Sequence, residues 1–161
     1  MLKSFKPDEY VNSVFEVDYE KLYAAGFRGL IFDIDNTLVY QDEDSTPEVE
    51  ALFERLRMIG FKTFILSNNS EERVRRFAKK VSSPYLSGAH KPLKSGYERA
   101  LSILGVRREQ AVFLGDRLLT DILGARRRGI RCILVEYIKT DGEKPDMIRR
   151  LEGHLYKRKT E

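Results

Sequence analysis

Gly29-Leu30-Ile31-Phe32-Asp33-Ile34-Asp35-Asn36-Thr37-Leu38 is the stretch on which the reading of this chain turns. Small and apolar residues run straight into a carboxylate, the pattern of a strand buried on both faces of a parallel sheet. Asp33 and Asp35 stand where that strand stops. Either alone reads as a turn or cap residue. Two carboxylates at a strand end, with a threonine two residues further on, call for a chemical explanation.

The arrangement recurs on the C-terminal side. Phe61–Leu66 is a second apolar run, and it ends in Ser67-Asn68-Asn69-Ser70, whose last residue caps a helix opened by Glu71 and Glu72. Pro84–Ser87 is a shorter run followed by Gly88-Ala89-His90-Lys91-Pro92. Ala111–Leu114 is a fourth, ending in Gly115-Asp116 with Asp121 five residues beyond, and Arg131–Val135 is a fifth. Apolar residues at helical spacing predict crossover helices from Pro47 to Gly60, from Ser70 through Val74 and Phe77, across Gly96–Leu104 and up to Arg128. Before the first strand, 8–15, opened by Pro7, and 18–25, stopped by Gly26, read as short helices. At the other end Lys144–Tyr156 reads as a helix with Ile148 and Leu151 inside, and Lys157–Glu161 as a frayed tail.

Strands alternating with helices predict a doubly wound α/β fold, a five-stranded parallel sheet with helices on both faces and all 161 residues in one domain. Ligands of such folds bind beyond the carboxyl ends of the strands, and Asp33, Asp35, Ser67, Lys91 and Asp116 all follow strands. Composition agrees with a globular chain, 42% hydrophobic and 34% charged. Residues 1–8 contain no apolar leader and no stretch reaches the length of a membrane span, so a cytoplasmic location is expected. Cys132, in an apolar run, reads as a core residue. Residues 1–50 carry 12 acids against 4 bases and the remainder 13 against 25. Without an aromatic-interleaved basic motif this asymmetry predicts solvated helix faces, and no nucleic-acid partner is expected.

Three carboxylates in one crevice repel one another and need a cation or a proton. Their hard oxygens favour Mg²⁺, which keeps coordination positions for water and phosphate oxygens. Lys91, the Ser67 hydroxyl and the loop amides would supply donors to a phosphoryl group.

Taken in order, Asp33-Ile34-Asp35-Asn36-Thr37-Leu38, Ser67-Asn68-Asn69, Lys91-Pro92 and Gly115-Asp116 with Asp121 resemble the four motifs of haloacid dehalogenase superfamily phosphatases, over about residues 29–135. Ser-Asn-Asn, Lys-Pro and Gly-Asp-Arg-Leu-Leu-Thr-Asp-Ile, with Phe5-x-Pro7-Asp8-Glu9-Tyr10-Val11, resemble its YqeG-type subgroup, similar to phosphatidylglycerophosphate phosphatases. The resemblance implies a Rossmann-like core and a role for each position. Asp33 is expected as the nucleophile that forms an aspartyl-phosphate, and Asp35 as the acid that protonates the leaving oxygen and then activates water. Ser67 and Lys91 are expected to hold the phosphoryl group, with Thr37 and Asn68 among the substrate contacts. Asp33, Asp35 through its backbone, and Asp116 are expected to bind Mg²⁺, with Asp121 either at the metal or orienting Lys91. Only Val39–Thr46 and Gly88–Lys91 are free to form a cap, so the core is expected to be essentially capless.

The activity so implied is a Mg²⁺-dependent phosphomonoesterase acting on phosphatidylglycerophosphate. A phosphatase of a small soluble metabolite and a non-catalytic phosphate- or protein-binding domain are the alternatives. A lipid head group would bring the catalytic edge into peripheral contact with an anionic inner membrane surface. The bases that follow strand ends, Arg73, Lys91, Lys94, Arg117, Lys139 and Lys144, would face that surface, whereas Arg126-Arg127-Arg128 ends a helix at the opposite edge.

Overall fold

The structure, a computed structural model, describes residues 5–160. Six parallel strands form one sheet: β1 (Glu9–Val11), β2 (Gly29–Phe32), β3 (Lys62–Leu66), β4 (Tyr85–Leu86), β5 (Ala111–Gly115) and β6 (Arg131–Val135), in the order β1-β6-β5-β2-β3-β4. The α/β class is as expected, but the sheet has one strand more than the five read from the sequence.

The extra strand replaces a predicted helix. Residues 8–15 are not helical: Glu9, Tyr10 and Val11 pair with Ile133, Leu134 and Val135 on β6, and a single 3₁₀ turn, Val14–Glu16, follows. The free edge of β6 offers backbone groups that need partners. Asp8 anchors the approach, its amide donating to the Cys132 carbonyl (2.9 Å) while its carboxylate accepts from the Cys132 amide (2.9 Å).

The described residues also form six α-helices, α1 (Tyr19–Ala24), α2 (Pro47–Ile59), α3 (Glu71–Lys80), α4 (Lys94–Leu104), α5 (Leu123–Arg127) and α6 (Met147–Thr160). The period of two along β2 divides the interior. Leu30 and Phe32 join Phe53, Leu56, Val74 and Phe77 on one face, and Ile31 joins Tyr97, Ala100, Phe113 and Cys132 on the other. Burial there pushes the Cys132 thiol up to about 12, in keeping with a core residue. Helix ends follow the expected chemistry. Thr46 caps α2, accepting from the Val49 amide (3.3 Å), and Gly60 closes it in left-handed conformation (φ 120°).

Two further expectations change. Helix α6 begins at Met147 rather than Lys144, and it remains helical to Thr160 where a frayed tail was read; Glu161 lies outside the described residues. Its faces are also reversed. Ile148 and Leu151, expected inside, are 52% and 53% exposed, while Glu152 is 5% exposed. Polar partners decide this, because Arg149 and Glu152 find them on the loops after β5, as described below. No inserted cap domain is present among the described residues, and no described helix is long and apolar enough to cross a membrane.

Candidate active site

Along the sheet the strand order reverses between β2 and β5, which opens a crevice beyond their carboxyl ends. The Asp33 amide donates to the Leu114 carbonyl of β5 (3.1 Å), carrying the pairing one residue past β2 and fixing the Asp33 backbone. The chain then turns at Asn36, which adopts φ 61° and donates its amide to the Val39 carbonyl (2.7 Å). Asparagine tolerates that left-handed conformation better than most residues. Asp35 is thereby held where its carboxylate accepts from the Asp42 amide (2.8 Å), Asn69 Nδ2 (3.0 Å) and the Arg73 guanidinium (3.1 Å). Burial pushes the Asp35 carboxyl up, yet these donors outweigh it and hold the group below the usual carboxylate range.

At the centre lies Lys91. Its Nζ donates to Asp33 Oδ1 (2.9 Å) and to Asp121 Oδ1 (2.7 Å), and its side chain is 3% exposed. Asn68 clamps the loop that carries it, accepting from the Lys91 amide (2.7 Å) and donating to the Lys91 carbonyl (3.3 Å). Burial opposes the ammonium charge, but Asp121 and Asp33 overcome it and keep Lys91 protonated. For the acids the balance is reversed. Burial raises Asp33 and Asp121, other carboxylates of the cluster add to the rise, and Lys91 opposes it.

Asp121 reaches Lys91 because the chain from Leu118 to Ile122 forms a single wide π turn before α5 starts. Its other oxygen accepts from the Arg117 amide (3.1 Å). A Cβ at position 115 would lie 2.4 Å from Asp121 Oδ2, so the residue before Asp116 has to be glycine for this packing. Asp116 is buried as well. It accepts from Thr37 Oγ1 (2.8 Å) and, through Oδ2, from the Arg149 guanidinium (2.6 Å).

One carboxylate oxygen each from Asp33, Asp116 and Asp121 lie within 4.8 Å of one another. Three hard oxygens this close, two of them on carboxyls pushed up by burial and like charge, are a donor set that a hard divalent cation fits.

Asp33, Asp35, Ser67, Asn68, Lys91 and Asp116 line one cleft of about 460 Å³. Ser67 is buried there and its Oγ accepts from the Asn69 amide (3.1 Å). Asp121 stands behind Lys91, and Thr37 meets the site through Asp116, to which its hydroxyl proton goes. Among the bases expected to face a lipid surface, Lys91 and Arg73 are instead buried against carboxylates, and Arg117 pairs with Asp146 (2.9 Å). Lys94, Lys139 and Lys144 are exposed.

Asn69, Arg73 and Arg149 were not singled out from the sequence for these contacts. Arg73 had a signal: it sits beside Val74 and four residues before Phe77, on the inward side of α3. Arg149 had one only if the face of α6 were read from its charges.

The haloacid dehalogenase-like hydrolase family matches residues 39–129. A probable phosphatase YqeG of Bacillus subtilis (strain 168) is 40% identical over 134 residues, which cover 83% of this chain and 78% of that protein. Phosphatidylglycerophosphate phosphatase 1, chloroplastic, of Chlamydomonas reinhardtii is 30% identical, and the match covers 84% of this chain but only 55% of that longer protein. Among solved structures, an HAD phosphatase from Thermococcus onnurineus superimposes with a TM-score of 0.58 at 16% identity, covering 76% of this chain and 91% of that one; this likeness concerns the fold.

Proposed function

The chain belongs to the haloacid dehalogenase-like hydrolases and is a phosphatase, a hydrolase of phosphoric monoesters, and from that premise we propose that Asp33 is its nucleophile and phosphatidylglycerophosphate its substrate. The observation that carries the catalytic part is Lys91, a buried ammonium shared by Asp33 and Asp121 at the floor of a cleft that also holds Asp35.

Asp33 forms a bond to phosphorus as the ester P–O bond breaks, and Asp35 passes its proton to the leaving oxygen. Asp35 then takes a proton from water, whose oxygen bonds to phosphorus while the Asp33–phosphorus bond breaks. Inorganic phosphate leaves and the Asp33 carboxylate is restored. Asp42, Asn69 and Arg73 favour the Asp35 anion, which suits the second half-reaction; the charge of an incoming phosphoryl dianion favours the protonated form needed in the first. Lys91 and Ser67 hold the phosphoryl oxygens, Asn68 fixes Lys91, and Thr37 fixes Asp116. Mg²⁺ held by Asp33, Asp116 and Asp121 would supply positive charge against those oxygens.

Support for the lipid substrate comes from the similarity to the Chlamydomonas reinhardtii enzyme and from a cleft over which no inserted domain closes, so that a phosphate displayed on a large body can enter. The test offers phosphatidylglycerophosphate in mixed micelles, glycerol 3-phosphate and p-nitrophenyl phosphate, each with and without Mg²⁺. The lipid should be preferred in kcat/KM by about 100-fold or more, with release abolished by a chelator. A preference for a small soluble phosphate would replace the lipid reading with a metabolite phosphatase.

A further inference from the structure

The first turns of helix α6 reverse the usual sense for a helix on a globular core. Two of its charged residues point inward, Arg149 onto Asp116 and Glu152, whose Oε1 accepts from the Leu119 amide (3.1 Å), while Arg150 stays exposed. In its first turns the large apolar residues point outward, Met147 at 83%, Ile148 at 52% and Leu151 at 53% exposure, whereas Tyr156 near the other end packs on the core. Ile148 is also a wall of the catalytic cleft. Ile138, 37% exposed, follows β6 at the same edge of the sheet, and Leu93, 63% exposed, opens α4 there.

We propose that the outer face of α6 is an interfacial surface that seats the cleft on an anionic lipid bilayer. Charge selects this occupant. The sequence from 144 to 160 carries six bases and two acids, and Arg149, turned inward onto Asp116, leaves at most five bases for an outside partner. Both acids are paired within the protein, the exposed Asp146 with Arg117 and the Arg149 amide, and the buried Glu152 with the Leu119 amide. A helix with exposed Met, Ile and Leu beside an excess of Lys and Arg is the composition that lies at the boundary of head groups and acyl chains. Position selects it too, because a body covering Ile148 must present its phosphates at the mouth of the cleft. Attraction between these bases and an anionic surface is screened by salt, so the contact is reversible.

The inference deepens the lipid-phosphate reading and rests on it, and the test separates the two. Wild-type protein and Met147→Glu/Leu151→Glu, two exposed positions outside the cleft, are sedimented with vesicles of phosphatidylglycerol and phosphatidylcholine or of phosphatidylcholine alone. The wild type should bind only the anionic vesicles, at low salt, with at least tenfold loss in the variant. p-Nitrophenyl phosphate turnover should stay within twofold. Hydrolysis of vesicle-borne phosphatidylglycerophosphate should fall about tenfold, and that of a short-chain water-soluble form should be retained. Equal vesicle binding by the two proteins, no binding by the wild type, or a wild-type dimer that the variant abolishes would overturn the proposal, the last by assigning the face to a second copy. Vesicle binding lost in the variant without hydrolysis of any phosphatidylglycerophosphate would uphold the surface and refute the substrate.

Discussion

A lysine ammonium held out of water between two carboxylates is costly unless the acids need it, and Asp33 and Asp121, both raised by burial, do. Lys91→Met removes a cation that touches both. Inhibition by vanadate should weaken about 100-fold, the scale on which a single preorganised donor is felt. Apo-protein stability should fall by about 3–5 kcal/mol as the buried Asp121 and the partly buried Asp33 lose their partner. Vanadate inhibition unchanged from the wild type would remove Lys91 from the phosphoryl site. The residues that line the cleft were legible wherever they stand at a fixed place after an apolar run, as Asp33, Ser67 and Asp116 do. Arg73 and Arg149 were not, because each is defined by a carboxylate 38 or 33 residues away in sequence, and an arginine on a helix gives no sign of which acid it will meet.

Among the elements, most strands and the helices with caps declared themselves, even the two-residue β4 and the short α1, whereas β1 and the facing of α6 did not. β1 has three residues and owes its strand conformation to β6, more than a hundred residues later, so local propensity could not report it. The wide turn at Leu118–Ile122 is likewise decided by what Asp121 must reach. Helix α6 was mis-faced because Ile148 and Leu151 look like core at helical spacing, while the buried pair Arg149–Asp116 turns the other side inward. That pair has a consequence for the metal. A guanidinium 2.6 Å from an Asp116 oxygen opposes a divalent cation on the same cluster. At an effective dielectric constant near 20 the repulsion amounts to several kcal/mol. Arg149→Met should therefore bind Mg²⁺ at least tenfold more tightly by calorimetry. Weaker binding would instead make Arg149 the group that holds Asp116 in place for the metal.

At the scale of the whole molecule, the sheet order places β2 beside β5, so the loops bearing Asp33 and Asp116 meet at the point where the strand order reverses, with an apolar core on each face to hold them there. The site rests on packed cores below, and among the described residues no inserted domain covers it above, apart from the flank given by α6. Everything proposed about substrate and surface depends on Asp33 attacking phosphorus. Asp35→Asn lacks both the acid of the first half-reaction and the base of the second, so p-nitrophenyl phosphate, whose leaving group departs without a proton, should still form the acyl phosphate in the presence of Mg²⁺ and the variant should accumulate it. Acid quenching, borohydride reduction and peptide mass spectrometry then read the modified residue. Reduction of the acyl phosphate to homoserine at position 33, and at no other aspartate, is the predicted result; phosphate release without any label at Asp33, or a label on Asp116 or Asp121, would contradict it.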